Sequence, residues 1–245
     1  DKTVLAMIDT VSSPTGIRMP FEKLVGLIQE RGVDVLVDAA HGPGIVPLNI
    51  RKLNAAYITG NCHKWICTPK GSAFLHIRDD RREGVKPLTI GHGYSSDLPS
   101  AEKFRMEFDW TGTRDPSPWL CIPFAISHIG GLINGGWEKI MNKNHEMAIF
   151  GRDLLCETLD ISPPTPDSMV SSMSSVEFPW DEDVGPAPID GDPIHNTLFD
   201  EYRIQVPVIS WPNHNRKYLR ISAQIYNSKE DYEYLSDSLI SILGS

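Results

Sequence analysis

Residues 33–44, VDVLVDAAHGPG, decide the fold of this chain. Four of the first five residues are valine or leucine, as in a strand inside a sheet, and the run ends in Asp38, His41 and a Gly-Pro-Gly turn. Open parallel sheets place their ligands just beyond the carboxyl ends of their strands. We therefore expect a buried parallel strand that delivers Asp38 and His41 to a binding site.

The segments around this strand extend the same pattern. An apolar run covers residues 3–8, and residues 21–31 have the spacing of a helix. Further strand-like runs cover residues 55–59 and 72–77. A strand, a helix and a second strand joined by short connections form a right-handed crossover in a parallel sheet that is covered on both faces. We predict an α/β fold, with residues 1–135 forming part of a large domain.

After residue 117 the spacing of apolar residues becomes that of helices. Apolar residues at helical spacing continue to residue 159, and Gly135 and Gly136 interrupt them. We expect a long connecting helix followed by a small α+β domain over residues 136–245. Its remaining elements are predicted as strands at 170–178, 204–209 and 218–223 and as helices at 194–202 and 229–243.

Composition narrows the possible functions. The chain has 245 residues and a formal net charge of -9, with its basic residues scattered, so nucleic acid and anionic membranes are not expected partners. It has no 18-residue apolar segment and no signal peptide, which predicts a cytoplasmic protein with reduced cysteines. A strand pattern directly after Asp1 indicates a fragment of a longer protein that lacks its N-terminal part.

A lysine follows the next predicted strand in residues 59–71, TGNCHKWICTPKG. Lys64 lies beside Trp65 and Ile66, and apolar surroundings lower the pKa of an amine and keep it nucleophilic. A carboxylate at a strand end, such as Asp38, can hold a ring nitrogen protonated. The alternatives are that Lys64 is solvated and that Asp38 only caps the segment after its strand.

Five motifs stand in the order seen in one enzyme family: DTVSSPTG, VDAAHGPG, TGNCHKW, WTGTRDPSPWL and LRISAQIYN. The chain resembles aminotransferase class V enzymes over nearly its whole length, and within them the isopenicillin N epimerase-like branch, which also resembles plant cysteine desulfhydrases. This resemblance implies the C-terminal part of a pyridoxal phosphate (PLP)-dependent transferase fold of type I, with a mostly parallel sheet.

The resemblance also implies roles for five residues around the cofactor. Lys64 would hold PLP as a Schiff base and move the Cα proton. Asp38 would pair with the pyridine nitrogen, and His41 would lie near the phenolic oxygen. Epimerisation would also need a second acid or base, which either His41 or a residue of the missing N-terminal part would supply. Asn61 and His63 would bind the phosphate. For His41, a turn histidine with satisfied hydrogen bonds is the alternative.

Two further residues receive roles from the same resemblance. Thr113 would reach the phosphate in the neighbouring subunit of a homodimer, and Arg220 would bind the carboxylate of the amino-acid substrate. Thr113 could instead cap the helix expected near Ser117. Arg220 lies in an alternating strand, where a side chain pointing into solvent is the plain alternative.

The implied reaction proceeds through an external aldimine and abstraction of the Cα proton. We favour an isopenicillin N epimerase-like reaction, with a cysteine desulfhydrase-like carbon-sulfur β-lyase as the alternative and a non-catalytic fragment as the third reading. A desulfurase that forms a persulfide is disfavoured, because no cysteine follows Cys156. No metal site is expected, since the histidines lack the spacing of metal ligands.

Overall fold

The computed structural model describes residues 2–179, 191–212 and 216–244. Its first sheet has the order β1 (Leu5–Asp9), β2 (Asp34–Ala39), β3 (Tyr57–Asn61) and β4 (Ala73–Ile77). β1, β2 and β3 are parallel, whereas β4 is antiparallel to β3. The connection between β3 and β4 is too short for a crossover helix, so β4 must return antiparallel. The predicted α/β fold with a mostly parallel sheet is confirmed.

Helices cover one face of this sheet. α1 (Phe21–Gln29) and α2 (Ile50–Leu53) pack on a cluster that includes the fully buried Val35, Val37 and Ile58. On the opposite face Met7 is 64% exposed and Leu75 50% exposed. The expectation that both faces are covered is therefore wrong for the described residues, which supply a helical layer to one face.

The middle of the chain is helical, as predicted, with one helix that the pattern missed. Gly135 and Gly136 have φ angles of +99° and +63°, which only glycine adopts readily, and they separate two helices where the sequence indicated a break. The helix at residues 100–109 was not predicted, because most of its residues are polar. The four helices are α3 (Ser100–Asp109), α4 (Ser117–Leu120), α5 (Ile122–Gly130) and α6 (Gly136–Thr158).

A second, antiparallel sheet follows, with the order β5 (Met173–Phe178), β7 (Lys217–Ser222) and β6 (Val208–Ser210). α6 and α8 (Lys229–Leu243) pack on it, and α7 (Pro193–Asp200) precedes β6. The shared core contains Leu155, Val176, Leu219 and Leu239, all fully buried. The strand predicted at 204–209 is shorter than expected, and residues 180–190 of the Pro- and Ser-rich segment lie outside the described residues.

The loop after β1 joins the two sheets. The backbone N–H of Arg18 donates to the Met169 carbonyl at 2.8 Å. Met173 of β5 packs in one cluster with Val11, Phe21 and Trp65. The boundary at residue 135 between a large and a small domain stays a prediction. No helix among the described residues is long and apolar enough to cross a membrane.

The core of the second sheet yields a stability prediction. Leu239 is fully buried, whereas Leu243 on the same helix is 43% exposed. Leu239→Ala should lower the free energy of unfolding by about 2 to 5 kcal/mol, because it removes buried methyl groups and leaves a cavity. Leu243→Ala is the matched control, for which we expect a much smaller loss. Urea unfolding of both variants measures the difference, and equal losses would contradict this assignment of the core.

Candidate active site

Lys64 lies in the turn that follows β3. The chain turns directly after Asn61, and Cys67 ends the turn in the left-handed region with a φ of +59°. The backbone N–H of Thr68 donates to the Cys62 carbonyl at 3.4 Å and closes the turn. Because β2 and β3 are parallel neighbours, the residues after both strands meet at the same edge of the sheet.

His41, in the turn after β2, contacts Lys64 directly. Its Nε2 atom lies 3.0 Å from the Lys64 Nζ atom. At the other ring nitrogen, the indole N–H of Trp65 donates to Nδ1 at 3.1 Å. Burial, together with the positive charges of Lys64 and Arg220, lowers the pKa of His41 to about 4. The ring is therefore uncharged near neutral pH.

Gly44 allows the loop after β2 to close over Trp65. Its φ of +92° lies in the region that favours glycine. A Cβ atom at this position would lie 3.1 Å from the backbone carbonyl carbon of Trp65. The Gly-Pro-Gly turn thus holds Trp65 against His41, and Trp65 itself is buried among Val11, Phe21 and Met173.

The surroundings of Lys64 favour the uncharged amine. Burial and the positive charge of Arg220 lower the pKa of Lys64, and burial has the larger effect. The negative charge of Asp38 raises this pKa, but the pKa is lowered overall. An amine with a depressed pKa is a free base at a lower pH than an ordinary lysine, which makes it a nucleophile. The alternative of an ordinary solvated lysine does not fit these contacts.

Asp38 ends β2 beside a second carboxylate. In the sheet register Asp38 pairs with Asp9 of β1 and with Thr59 of β3. Its Oδ1 atom accepts a hydrogen bond from the backbone N–H of Ala40 at 2.8 Å, so Asp38 does cap the segment after its strand. The other oxygen has no donor among the described residues. Burial and the charge of Asp38 raise the pKa of Asp9.

Arg220 reaches the same region from the second sheet. It lies in β7 opposite Ser175, and its Nη1 atom donates to the carbonyl of Ser13 in the loop after β1. Its Nε atom is buried and has no hydrogen-bond partner within the described part of the chain. Burial also lowers the pKa of Arg220. The outward orientation that strand alternation predicts is wrong, because the loop after β1 covers this side chain.

The remaining predicted residues form no hydrogen bond with Lys64 in the described ranges of the chain. Asn61 ends β3, and His63 donates its Nδ1 proton to the Ser72 carbonyl at 2.8 Å, so its Nε2 atom becomes a donor only when the ring carries a second proton. Thr113 is exposed in the loop before α4. It does not cap that helix: Asp115 accepts from the backbone N–H of Ser117 at 2.9 Å instead.

Three residues of the site were not assigned a role from the sequence. Trp65 contacts His41, Asp9 lies beside Asp38, and Ser13 accepts from Arg220. All three lie in the motifs DTVSSPTG and TGNCHKW, so the motifs marked the region. Their individual contacts depend on the packing of β1, β2 and β7, which those motifs do not encode.

Comparisons with known proteins match the chain to one family model and to two kinds of enzyme. The family model described as Aminotransferase class-V matches residues 1–179. The putative L-cysteine desulfhydrase 1 of Oryza sativa subsp. japonica is 33% identical over 97% of this chain and 51% of that protein. The isopenicillin N epimerase of Amycolatopsis lactamdurans is 31% identical over 97% of this chain and 60% of that protein.

Solved structures show the same fold. The apo cysteine desulfurase of Thermococcus onnurineus NA1 matches with a TM-score of 0.76 and 22% identity, over 98% of this chain and 60% of that chain. The chain thus spans 51% to 60% of the length of the relatives and the structure compared.

The charges around Lys64 predict how its reactivity changes with pH. Asp38→Asn removes the charge that raises the Lys64 pKa, so acetylation of Lys64 by acetic anhydride should begin at lower pH. Arg220→Gln removes a charge that lowers it, so acetylation should begin at higher pH. Peptide mass spectrometry measures both changes, with the exposed Lys70 as internal reference. Shifts of the same sign in both variants would contradict this electrostatic assignment.

Proposed function

The chain belongs to the aminotransferase class V family, and we propose that the protein is a PLP-dependent enzyme that removes the α-proton of an amino acid. Enzymes of this family use PLP. The observation that carries the proposal is the contact between the Lys64 amine and the uncharged His41, with Asp38 and Arg220 acting on the same amine.

The residues at this edge of the sheet fit PLP. The cofactor's aldehyde needs a nucleophilic amine, and Lys64 has a lowered pKa. Its pyridine nitrogen needs a carboxylate, and Asp38 has one oxygen free of protein donors among the described residues. Asn61 ends the next strand and His63 follows it, and both would hold the phosphate. His63 can donate to a phosphate only as an imidazolium, because its Nδ1 proton is already committed to Ser72.

Bound PLP supplies an electron sink that makes the α-proton of an amino acid acidic. Lys64 is the base that takes this proton, since an uncharged amine accepts one. Asp38 keeps a proton on the pyridine nitrogen. Arg220 binds the carboxylate of the amino acid, and its unpartnered buried Nε atom supports this role, because a buried donor without an acceptor is costly until a ligand supplies one.

The contact between His41 and Lys64 argues against His41 as the second acid of an epimerase, and we therefore propose the carbon-sulfur lyase first. An epimerase returns a proton to the opposite side of the α-carbon, and two groups in direct contact cannot lie on opposite sides of one carbon. With its pKa lowered to about 4, His41 is also an uncharged imidazole near neutral pH and cannot serve as that acid. Elimination of sulfur needs only the base Lys64 at the α-carbon.

The oligomeric state is part of the proposal. Thr113 is exposed on the loop before α4, which leaves its hydroxyl free to reach another subunit. We propose a homodimer in which Thr113 hydrogen-bonds the phosphate bound by the partner. In that arrangement each site draws residues from two chains.

The attachment of PLP is tested by trapping with borohydride. The intact protein incubated with PLP and then reduced should carry one phosphopyridoxyl group on the peptide that contains Lys64. Lys64→Ala should lose this label, because it removes the only nucleophile proposed for the aldehyde. Lys70→Ala is the matched control and should keep it. Labelling spread over surface lysines, and equal in the Lys64 variant, would refute the proposed site.

The choice of reaction is tested by incubating the PLP-loaded intact protein with L-cysteine and with L-amino acids that lack a β-leaving group, in deuterated water. We expect sulfide and pyruvate from L-cysteine, and deuterium exchange at the α-carbon with retained configuration from the other amino acids. Mass spectrometry and chiral chromatography detect the products. Inverted configuration would support the epimerase instead, and the absence of both sulfide and exchange would refute a catalytic function.

A further inference from the structure

The His41 ring is held between two nitrogen groups of adjacent residues. The Trp65 indole N–H donates to Nδ1 at 3.1 Å, and the Lys64 Nζ atom lies 3.0 Å from Nε2. An indole nitrogen can only donate a hydrogen bond. The Nδ1 atom must therefore be the bare, accepting nitrogen of the ring.

Because Nδ1 must accept, the hydrogen-bonding group that His41 presents to Lys64 at Nε2 is determined. In the uncharged imidazole one nitrogen carries the proton and the other accepts. Since Nδ1 accepts from Trp65, the proton must be on Nε2, where it points at the Lys64 amine. An ammonium group has no lone pair and repels an N–H, so the contact requires Lys64 to be the free base.

We propose that Trp65 is a positioning residue that holds His41 as the Nε2–H tautomer, so that His41 donates to the Lys64 amine and stabilises its uncharged, nucleophilic form. The tautomer is a property of the protein without cofactor. Only its consequence for catalysis rests on the proposed function.

The packing around Trp65 makes the restraint rigid. The residue is 8% exposed and belongs to one buried cluster with Val11, Phe21 and Met173. Gly44 allows the loop after β2 to approach the Trp65 backbone. The indole therefore has little freedom to rotate away from His41, and the same loop that carries His41 also covers Trp65.

The charged groups around the pair come from three strands. Asp38 of β2 favours protonation of Lys64, whereas Arg220 of β7 opposes it. Asp9 of β1 lies beside Asp38, and the Asp38 charge raises the pKa of Asp9. The hydrogen bond from His41 adds a directional preference for the free amine, which the fixed charges do not supply.

Trp137 provides a matched control for Trp65. Its indole N–H also donates one hydrogen bond, at 2.9 Å, but to the backbone carbonyl of Ile126. It packs against Cys62 and Ile66 in a neighbouring cluster. The Trp137 ring also lies against Gly44 of the loop that carries His41, so Trp137→Phe perturbs this loop without removing a hydrogen bond to His41.

The direct test is the tautomer of His41, measured by NMR on intact protein without cofactor that is labelled with ¹⁵N-histidine. The couplings of each ring nitrogen to the ring carbon protons identify which nitrogen carries the proton. The chain has eight histidines, and the His41 signals are those lost in His41→Gln. We expect protonated Nε2 and bare Nδ1 at pH 7. Protonated Nδ1, or a doubly protonated ring, would overturn the proposal without any Trp65 variant.

The Trp65→Phe variant tests whether the indole is the cause. Without it, His41 can shift its proton to Nδ1 and accept from a Lys64 ammonium through Nε2. We therefore expect a mixture of tautomers, and a midpoint for acetylation of Lys64 that rises by roughly one pH unit, the contribution of one hydrogen bond to the free amine. Trp137→Phe should change neither. An unchanged His41 spectrum and midpoint in Trp65→Phe would overturn the proposal.

These measurements separate the two proposals. If PLP does not attach to Lys64 but the native protein shows the Nε2–H tautomer that Trp65→Phe disturbs, the proposed function fails and the positioning role stands. If PLP attaches while His41 carries its proton on Nδ1, the reverse holds.

Discussion

The parallel pairing of β2 with β3 is the constraint on which the rest of the site depends. It brings the turns that carry His41 and Lys64 to one edge of the sheet and allows the Nε2 and Nζ atoms to approach to 3.0 Å. A shift of the register by one residue would turn Asp38 to the opposite face of the sheet. The helices behind the sheet bury Val35, Val37 and Ile58, and this burial secures the register.

The second sheet completes the electrostatics of this edge. Arg220 crosses from β7 to the carbonyl of Ser13 in the loop after β1, and its charge opposes protonation of both His41 and Lys64. Burial is nevertheless the largest influence on both pKa values. The site therefore holds two nitrogen bases with lowered pKa values beside a carboxylate, which is an arrangement suited to accepting a proton from carbon.

The comparisons and the geometry bear on different levels of function. Relatives of similar identity include a desulfhydrase and an epimerase, so overall similarity does not separate the two reactions. The contact of His41 with Lys64 does bear on that choice, because it removes His41 as an acid on the far side of the α-carbon. The chain also shares its fold with the cysteine desulfurase of Thermococcus onnurineus NA1, so the fold does not separate the reactions either.

The sequence by itself determined the α/β class, most helices and strands, and the candidates Asp38, His41, Lys64 and Arg220, because hydrophobic periodicity and local motifs are encoded over short stretches. Only the tertiary structure decided that Arg220 turns inward and that Trp65 donates to His41. Each of these depends on contacts between segments far apart in the chain. A hydrogen bond from an indole to one ring nitrogen leaves no periodic signal in the sequence, and it is this bond that determines which nitrogen of His41 carries the proton facing Lys64.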